Sequence, residues 1–280
     1  MKPNMALKPA LADRLRRGDE LTGILVKMPA PATIELAGHC GLDLVVLDTE
    51  HGPADGVELE HHLRASDAVG IPAIVRVATN NPVPIQYALD AGACGVIVPH
   101  VGSPEAAAAA VRAGHYPPRG ERGLATSTRA GNHGTGGTAE HLLRSARETL
   151  IIVQIEDGDA VPQARAIAGT DGVDAVWFGP NDLSLSLGHA DQPTHQDVVA
   201  AVDAIVQAVG VTPGVALCVL AGDVREATRW RRRGAQIVLF SAVALLRDQF
   251  RQILTDPAGE TGTAPAPRRP ATPTVQEVHP

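Results

Sequence analysis

Two acids and an arginine carry the first chemical signal in this chain. Glu156 closes the apolar run LIIVQIE at 150–156, and Asp182 follows the next run, VDAVWFG at 173–179, in Gly179-Pro180-Asn181-Asp182. If those runs are neighbouring strands, they lie about 5 Å apart in the sheet. Two carboxylates held that close repel each other unless a cation sits between them. A pair of acids with room left for water and a chelating substrate suits Mg2+ or Mn2+. The competing reading is structural: a salt-bridged acid, or an Asp182 that caps a short helical turn. Spacing alone leaves both open. Arg76 lies inside the apolar run PAIVRV, where a guanidinium needs a fork-shaped partner, either a structural acid or a substrate carboxylate.

His51, in Asp48-Thr49-Glu50-His51-Gly52-Pro53, can act as a general base, since imidazole as a side-chain type titrates near neutrality. It can equally be a hydrogen-bonded loop histidine; Asp48 and Glu50 are at hand to orient it. His100, at the end of another run, is the alternative base. His61, His62, His133, His141, His189 and His195 show no HExxH or similar metal spacing and read as surface or loop residues. The lysines are Lys2, Lys8 and Lys27. Schiff-base chemistry would need one at a strand end; Lys27 alone is near one, and it reads as remote from the acids. Cys40, Cys94 and Cys218 form no CxxC pair and read as small buried hydrophobes.

These residues recur at the ends of apolar runs, and the runs explain why. Eight of them, beginning with 21–27 and ending with 236–240, alternate with stretches of helical period such as 57–69, 82–91, 103–113, 158–168, 195–210 and 222–233. Near-continuous apolar strands separated by single helices predict a parallel sheet covered by helices. Eight such units predict an α/β fold, a single-domain (β/α)8 TIM barrel, whose working residues sit where strands end. A doubly wound sheet is the rival, but Lys27-Met28-Pro29-Ala30-Pro31 stands where its GxGxxG turn would be. The expected organisation is a helical lead-in at 1–19, a barrel at 20–255 and a disordered Pro/Ala/Thr-rich tail at 256–280. A Gly/Arg-rich loop at 115–140, after strand four, is long enough to imply a function.

The 280 residues carry a net charge of −7, and 2% are aromatic, which argues against nucleic acid as the partner. No apolar run has the length of a membrane span, and the first twenty residues lack the apolar core of a secretion signal. The cytoplasm is the expected compartment.

Five segments together resemble the HpcH/HpaI family of metal-dependent pyruvate aldolases, distant relatives of citrate lyase β subunits. They are DLVVLDTEHGP, the IVRV strand with YALDAGACGVIVPHV, YPPRGERG, VQIE and VWFGPNDLSLSLG. The resemblance implies that Glu156 and Asp182 hold a divalent ion (Mg2+, Mn2+ or Co2+). Arg76 then binds the pyruvate carboxylate or enolate, and His51 is the base, oriented by Asp48. Gln154 falls beside the metal and the keto oxygen, while Pro180 and Asn181 line the substrate pocket with Asp182. Asp90 matches an acid presented to a neighbouring subunit's site. It further implies a homo-oligomer, a hexamer built as a trimer of dimers that exchange a C-terminal helix. The substrates implied are pyruvate or another 2-oxo acid plus an aldehyde. His115 stands where many members carry Arg, and the stretch from Thr126 to Gly131 is a subgroup variant. That loop, with Arg129 in it, is where contacts to the far end of the substrate are expected. A citrate-lyase-like or citrate-forming reaction of oxaloacetate with an acyl-CoA is the alternative on the same metal site.

Overall fold

The structure, a computed structural model, describes residues 10–52 and 56–254. The eight apolar runs form parallel strands that close a barrel in sequence order, with β1 paired to both β2 and β8. The first half comprises α1 (Leu11–Arg16), β1 (Leu21–Val26), α2 (Pro31–His39), β2 (Leu44–Asp48), α3 (Gly56–Val69), β3 (Ala73–Arg76), α4 (Pro82–Asp90) and β4 (Gly95–Val98). The second comprises α5 (Pro104–Gly114), α6 (Thr138–Glu148), β5 (Leu150–Ile155), α7 (Ala164–Ala168) and β6 (Ala175–Phe178). It continues with α8 (Pro180–Ser186), α9 (Gln196–Gly210), β7 (Ala216–Ala221), α10 (Val224–Arg232), β8 (Ala235–Ser241) and α11 (Ala242–Leu254).

Local chemistry sets the boundaries. Asn81, Ser103 and Asp223 cap α4, α5 and α10 by accepting backbone N–H groups two or three residues on. Gly92 and Gly234 follow helix ends at φ +108° and +91°, where a side chain would be strained. The helical period at 158–168 resolves differently: Pro162 lies in a 3-10 segment, Gly158–Gln163, and α-helix begins at Ala164. The expected loop at 115–140 is shortened from its far end, because α6 starts at Thr138.

Strand alternation divides the core into two layers. Along β2, Val45 and Leu47 pack outward with the helices, whereas Leu44 and Val46 fill the barrel interior. The same inner layer holds Leu25, Ile74, Ile152 and Trp177. Two residues further along each strand, the inward period reaches Lys27, Asp48, Arg76, Gln154 and Gly179. One structural rule thus aims the first residue above the apolar plug into the barrel mouth.

α11 runs from the unit formed by residues 1–245 into a second unit that begins at Leu246. Within the second unit, Leu246, Phe250, Ile253 and Leu254 are exposed. The proposed tail at 256–280 and the first nine residues of the lead-in lie outside the described residues. Among those described, no helix is long and apolar enough to cross a membrane. Of the cysteines, Cys218 is buried, but Cys40 is exposed at the end of α2 and Cys94 is half-buried. His62 and His141 are buried, against the expectation of surface positions. His62 is held by backbone groups: Nδ1 meets the Glu58 carbonyl at 2.7 Å, and Nε2 lies 3.1 Å from the Ala30 nitrogen.

Candidate active site

Asp48 and Arg76 end paired strands in direct register. The Arg76 fork closes on the Asp48 carboxylate, Nε to Oδ1 at 3.0 Å and Nη2 to Oδ2 at 2.5 Å. Both side chains are buried. Burial pushes the Asp48 carboxyl upward, but the Arg76 hydrogen bond and charge outweigh it and hold the group below the usual range. The structural acid left open as a partner for Arg76 is therefore Asp48. The remaining terminal nitrogen, Nη1, faces Glu50 Oε2 at 3.1 Å and Gln154 Oε1 at 3.4 Å. The guanidinium also lies over the Trp177 ring, 5.2 Å from its centroid.

Lys27 belongs to this group, contrary to its expected remoteness. Its Nζ is 3.5 Å from Asp48 Oδ2. The register explains the contact: Val26 pairs with Leu47, so the next residues, Lys27 and Asp48, lie side by side. The inward alternation Leu21, Gly23, Leu25, Lys27 was the signal that could have found it.

Glu156 and Asp182 meet at Gly179. A Cβ placed on Gly179 would stand 2.8 Å from Glu156 Oε2, 3.1 Å from Asp182 Oδ2 and 3.2 Å from Gln154 Nε2. Gln154 Nε2 donates to Glu156 Oε2, and the His100 backbone N–H donates to Glu156 Oε1 at 2.9 Å. Burial pushes the Glu156 carboxyl up to about 7 against the pull of His100, with Asp182 and Glu50 adding to the rise. Asp182 is the third residue of α8; the cap position is Gly179, which offers no side chain. Asp182 is thus no helix cap. A buried acid pushed toward its neutral form, beside a second carboxylate and a side-chain-free gap, has the donor chemistry that a hard divalent cation requires.

The histidines divide by exposure and contact. His51 is exposed; its backbone N–H donates to Asp48 Oδ1 at 3.2 Å, while its ring Nε2 lies 3.8 Å from Glu50 Oε2. Asp48 therefore fixes the His51 backbone, and the carboxylate nearest the ring is Glu50. His100 adopts φ +50° and sets Nδ1 at 3.2 Å from Asp157 Oδ2 and 3.5 Å from Glu156 Oε1. Burial acts to lower its pKa, but Glu156, Asp157 and Glu50 raise it above the ordinary value. Glu50, Glu156 and His100 each offer a ligand atom within 4.8 Å of the others. Glu50 is thus a central member of the site. It falls two residues after Asp48, the next step of the inward period.

Other expected site residues are elsewhere. Pro180 and Asn181 stand at the rim, half-buried and exposed, on the first turn of α8. Arg129 donates to the Ala91 carbonyl at 2.9 Å and pairs with Asp67. Asp90 accepts from Arg122 at 2.6 Å. Ala91 and Gly92 precede the start of β4, so this group lies at the barrel end opposite Glu156 and Asp182 within the chain. A cavity of about 540 Å3 opens there, lined by Arg129, Arg122, Cys94 and His141 among others.

Residues 22–243 match the family model described as HpcH/HpaI aldolase/citrate lyase. A hydroxypyruvate/pyruvate aldolase of Sagittula stellata is 40% identical over 67% of this chain and 74% of its own length. A crystal structure of a family protein from Burkholderia cenocepacia superposes with a TM-score of 0.82 at 35% identity, covering 87% of this chain and 97% of that one. The citrate synthase SbnG superposes with a TM-score of 0.79 at 31% identity, covering 88% and 96%.

Proposed function

The chain belongs to the HpcH/HpaI aldolase/citrate lyase family, and from that membership we propose a divalent-metal-dependent aldolase acting on a 4-hydroxy-2-oxo acid. Its products in the cleavage direction are pyruvate and an aldehyde. The observation that carries the reading is the convergence of Glu156 and Asp182 on the gap at Gly179. An ion held by these two acids, Mg2+, Mn2+ or Co2+, supplies Lewis acidity toward the substrate's carboxylate and 2-oxo oxygens.

The chain's own residues do the rest. Arg76, held by Asp48 through Nε and Nη2, exchanges its Nη1 contacts with Glu50 and Gln154 for the substrate oxygens. Gln154 bridges Arg76 and Glu156 and holds both in place. His51 accepts the C4 hydroxyl proton; the C3–C4 bond breaks, its electron pair passes into the pyruvate enolate, and the aldehyde leaves. The same imidazole returns a proton to C3. Glu50 positions the ring. In a homo-oligomer, a hexamer by resemblance, Asp90 and Arg129 would serve a neighbouring subunit's mouth.

Exchange of the pyruvate methyl protons into deuterium oxide, followed by NMR, tests the half-reaction without the aldehyde. Exchange that needs Mn2+ and stops with EDTA is expected; exchange indifferent to chelator would overturn the metal assignment. Borohydride with pyruvate should leave Lys27 unmodified, since its Nζ is engaged by Asp48. The similarity to SbnG favours one second reading, citrate formation from oxaloacetate and an acyl-CoA. Release of free CoA from acetyl-CoA, dependent on oxaloacetate, would select it.

A further inference from the structure

Three more donor side chains meet in the connection between α8 and α9. His189, His195 and Asp197 each offer an atom within 4.8 Å of the others. His189 Nε2 lies 2.9 Å from Asp197 Oδ2, and His195 Nδ1 lies 3.6 Å from the same oxygen. The two imidazoles stack, with centroids 3.5 Å apart and planes 18° from parallel. His195 Nδ1 also accepts the Asp197 backbone N–H at 3.3 Å, as the cap of α9. His189 Nε2 donates to the Asp197 carboxylate, so an ion bound between them takes the place of that proton.

We propose that His189, His195 and Asp197 form a second metal site, for a borderline transition ion of the Zn2+ class. Its donors are two imidazole nitrogens and one carboxylate oxygen, with water in the remaining positions. Imidazole selects Zn2+, Ni2+ or Cu2+, whereas the oxygen donors of Glu156 and Asp182 suit Mg2+ or Mn2+. The two sites therefore discriminate between metals by ligand type.

The placement suggests a staple. The His189 backbone N–H donates to the Ser184 carbonyl at 2.7 Å, tying the connection to the end of α8. Ser186 accepts the Gly158 N–H at 2.9 Å, tying α8 to the segment that follows Glu156. An ion clamping His189 to the start of α9 would stiffen the helix whose first turn carries Asp182.

Cu2+ serves as the spectroscopic probe and Zn2+ as the stabilising one. The electron paramagnetic resonance spectrum of the copper-loaded full chain should show coupling to two imidazole nitrogens. His189→Ala should reduce that to one while leaving the α9 cap intact, and His189→Ala with His195→Asn should abolish it; Asn retains a capping side chain. Glu156→Gln should leave the coupling unchanged. Zn2+ should raise the melting temperature of the wild type and of Glu156→Gln but not of the double variant. Its affinity should drop beyond the roughly 10–100-fold that outer-shell changes cause. Absence of nitrogen coupling in the wild type, or coupling that survives the double substitution, would overturn the proposal; the latter would point to His51 or His100.

Discussion

The two ends of the barrel use the same residue types to opposite effect. Where the strands start, charges are matched: Asp90 with Arg122 at 2.6 Å, Arg129 with Asp67, and Arg122 over the Tyr116 ring at 4.5 Å. Tyr116 in turn meets His141 Nε2 at 2.9 Å. Where the strands end, Arg76 and Lys27 answer Asp48 and Arg76 Nη1 also answers Glu50, but Glu156 and Asp182 remain crowded beside the exposed His100 imidazole and a glycine gap. Matched charge stabilises a fold, whereas surplus charge of one sign held at the strand ends is the pattern of a functional site.

The contrast is testable most sharply at the acids themselves. Glu156→Gln or Asp182→Asn should lower pyruvate proton exchange at limiting Mn2+ by at least about 100-fold, the scale on which a missing electrostatic partner acts. Retained exchange in either variant would return the pair to a structural role. His51→Ala should cost about 10²–10⁴-fold in exchange and cleavage with Mn2+ affinity unchanged, because the ring is proposed as a base and not a ligand. If His100→Ala produces that loss instead, the proton carrier is the other histidine.

Stability variants probe the matched charges. Asp48→Asn leaves the Arg76 guanidinium buried with half its partner, and a loss of about 3–5 kcal/mol is expected in urea denaturation. His115, at the opposite end, is buried, and that burial, with Arg119 and Arg122 nearby, pushes its pKa down to about 4. An unfolded chain binds this proton near pH 6.5, so between about 4 and 6.5 the unfolded state holds more protons than the folded one. Stability therefore falls as pH drops through that window, by about 2 kcal/mol at pH 5; His115→Gln should flatten the slope. The smallest effect is expected at Arg129→Ala, below about 1 kcal/mol, since the partner Asp67 is exposed. A rise in the aldehyde KM there would assign Arg129 to a neighbouring subunit's mouth.

The barrel was legible because strand identity is a local property: eight apolar runs and the glycines after helices are visible without contacts. The acids were legible for the same reason, as each ends a run. Lys27 and Glu50 were less so, since their membership depends on which way a strand faces. That direction follows only once Leu25 and Val46 are seen inside the barrel. Arg129 and Asp90 lie beyond what a single chain can place. In a parallel barrel a helix-to-strand connection emerges where the strands start, so they lie away from this chain's own acids, and only a neighbouring subunit could bring them to a barrel mouth. His189, His195 and Asp197 have no helical spacing at all; a short connection folds them together.

Gly179 separates the ability to fold from the ability to work. Its backbone sits at φ −102° and ψ 97°, a conformation open to any residue, so no torsional rule demands glycine. The atoms nearest a would-be Cβ are the tips of Glu156, Asp182 and Gln154, which can swing aside at little cost. Gly179→Ala should accordingly yield a well-folded barrel whose acids have been parted by a single methyl group. A screen for soluble, thermally stable variants would pass that substitution as harmless, and a screen for turnover would discard it.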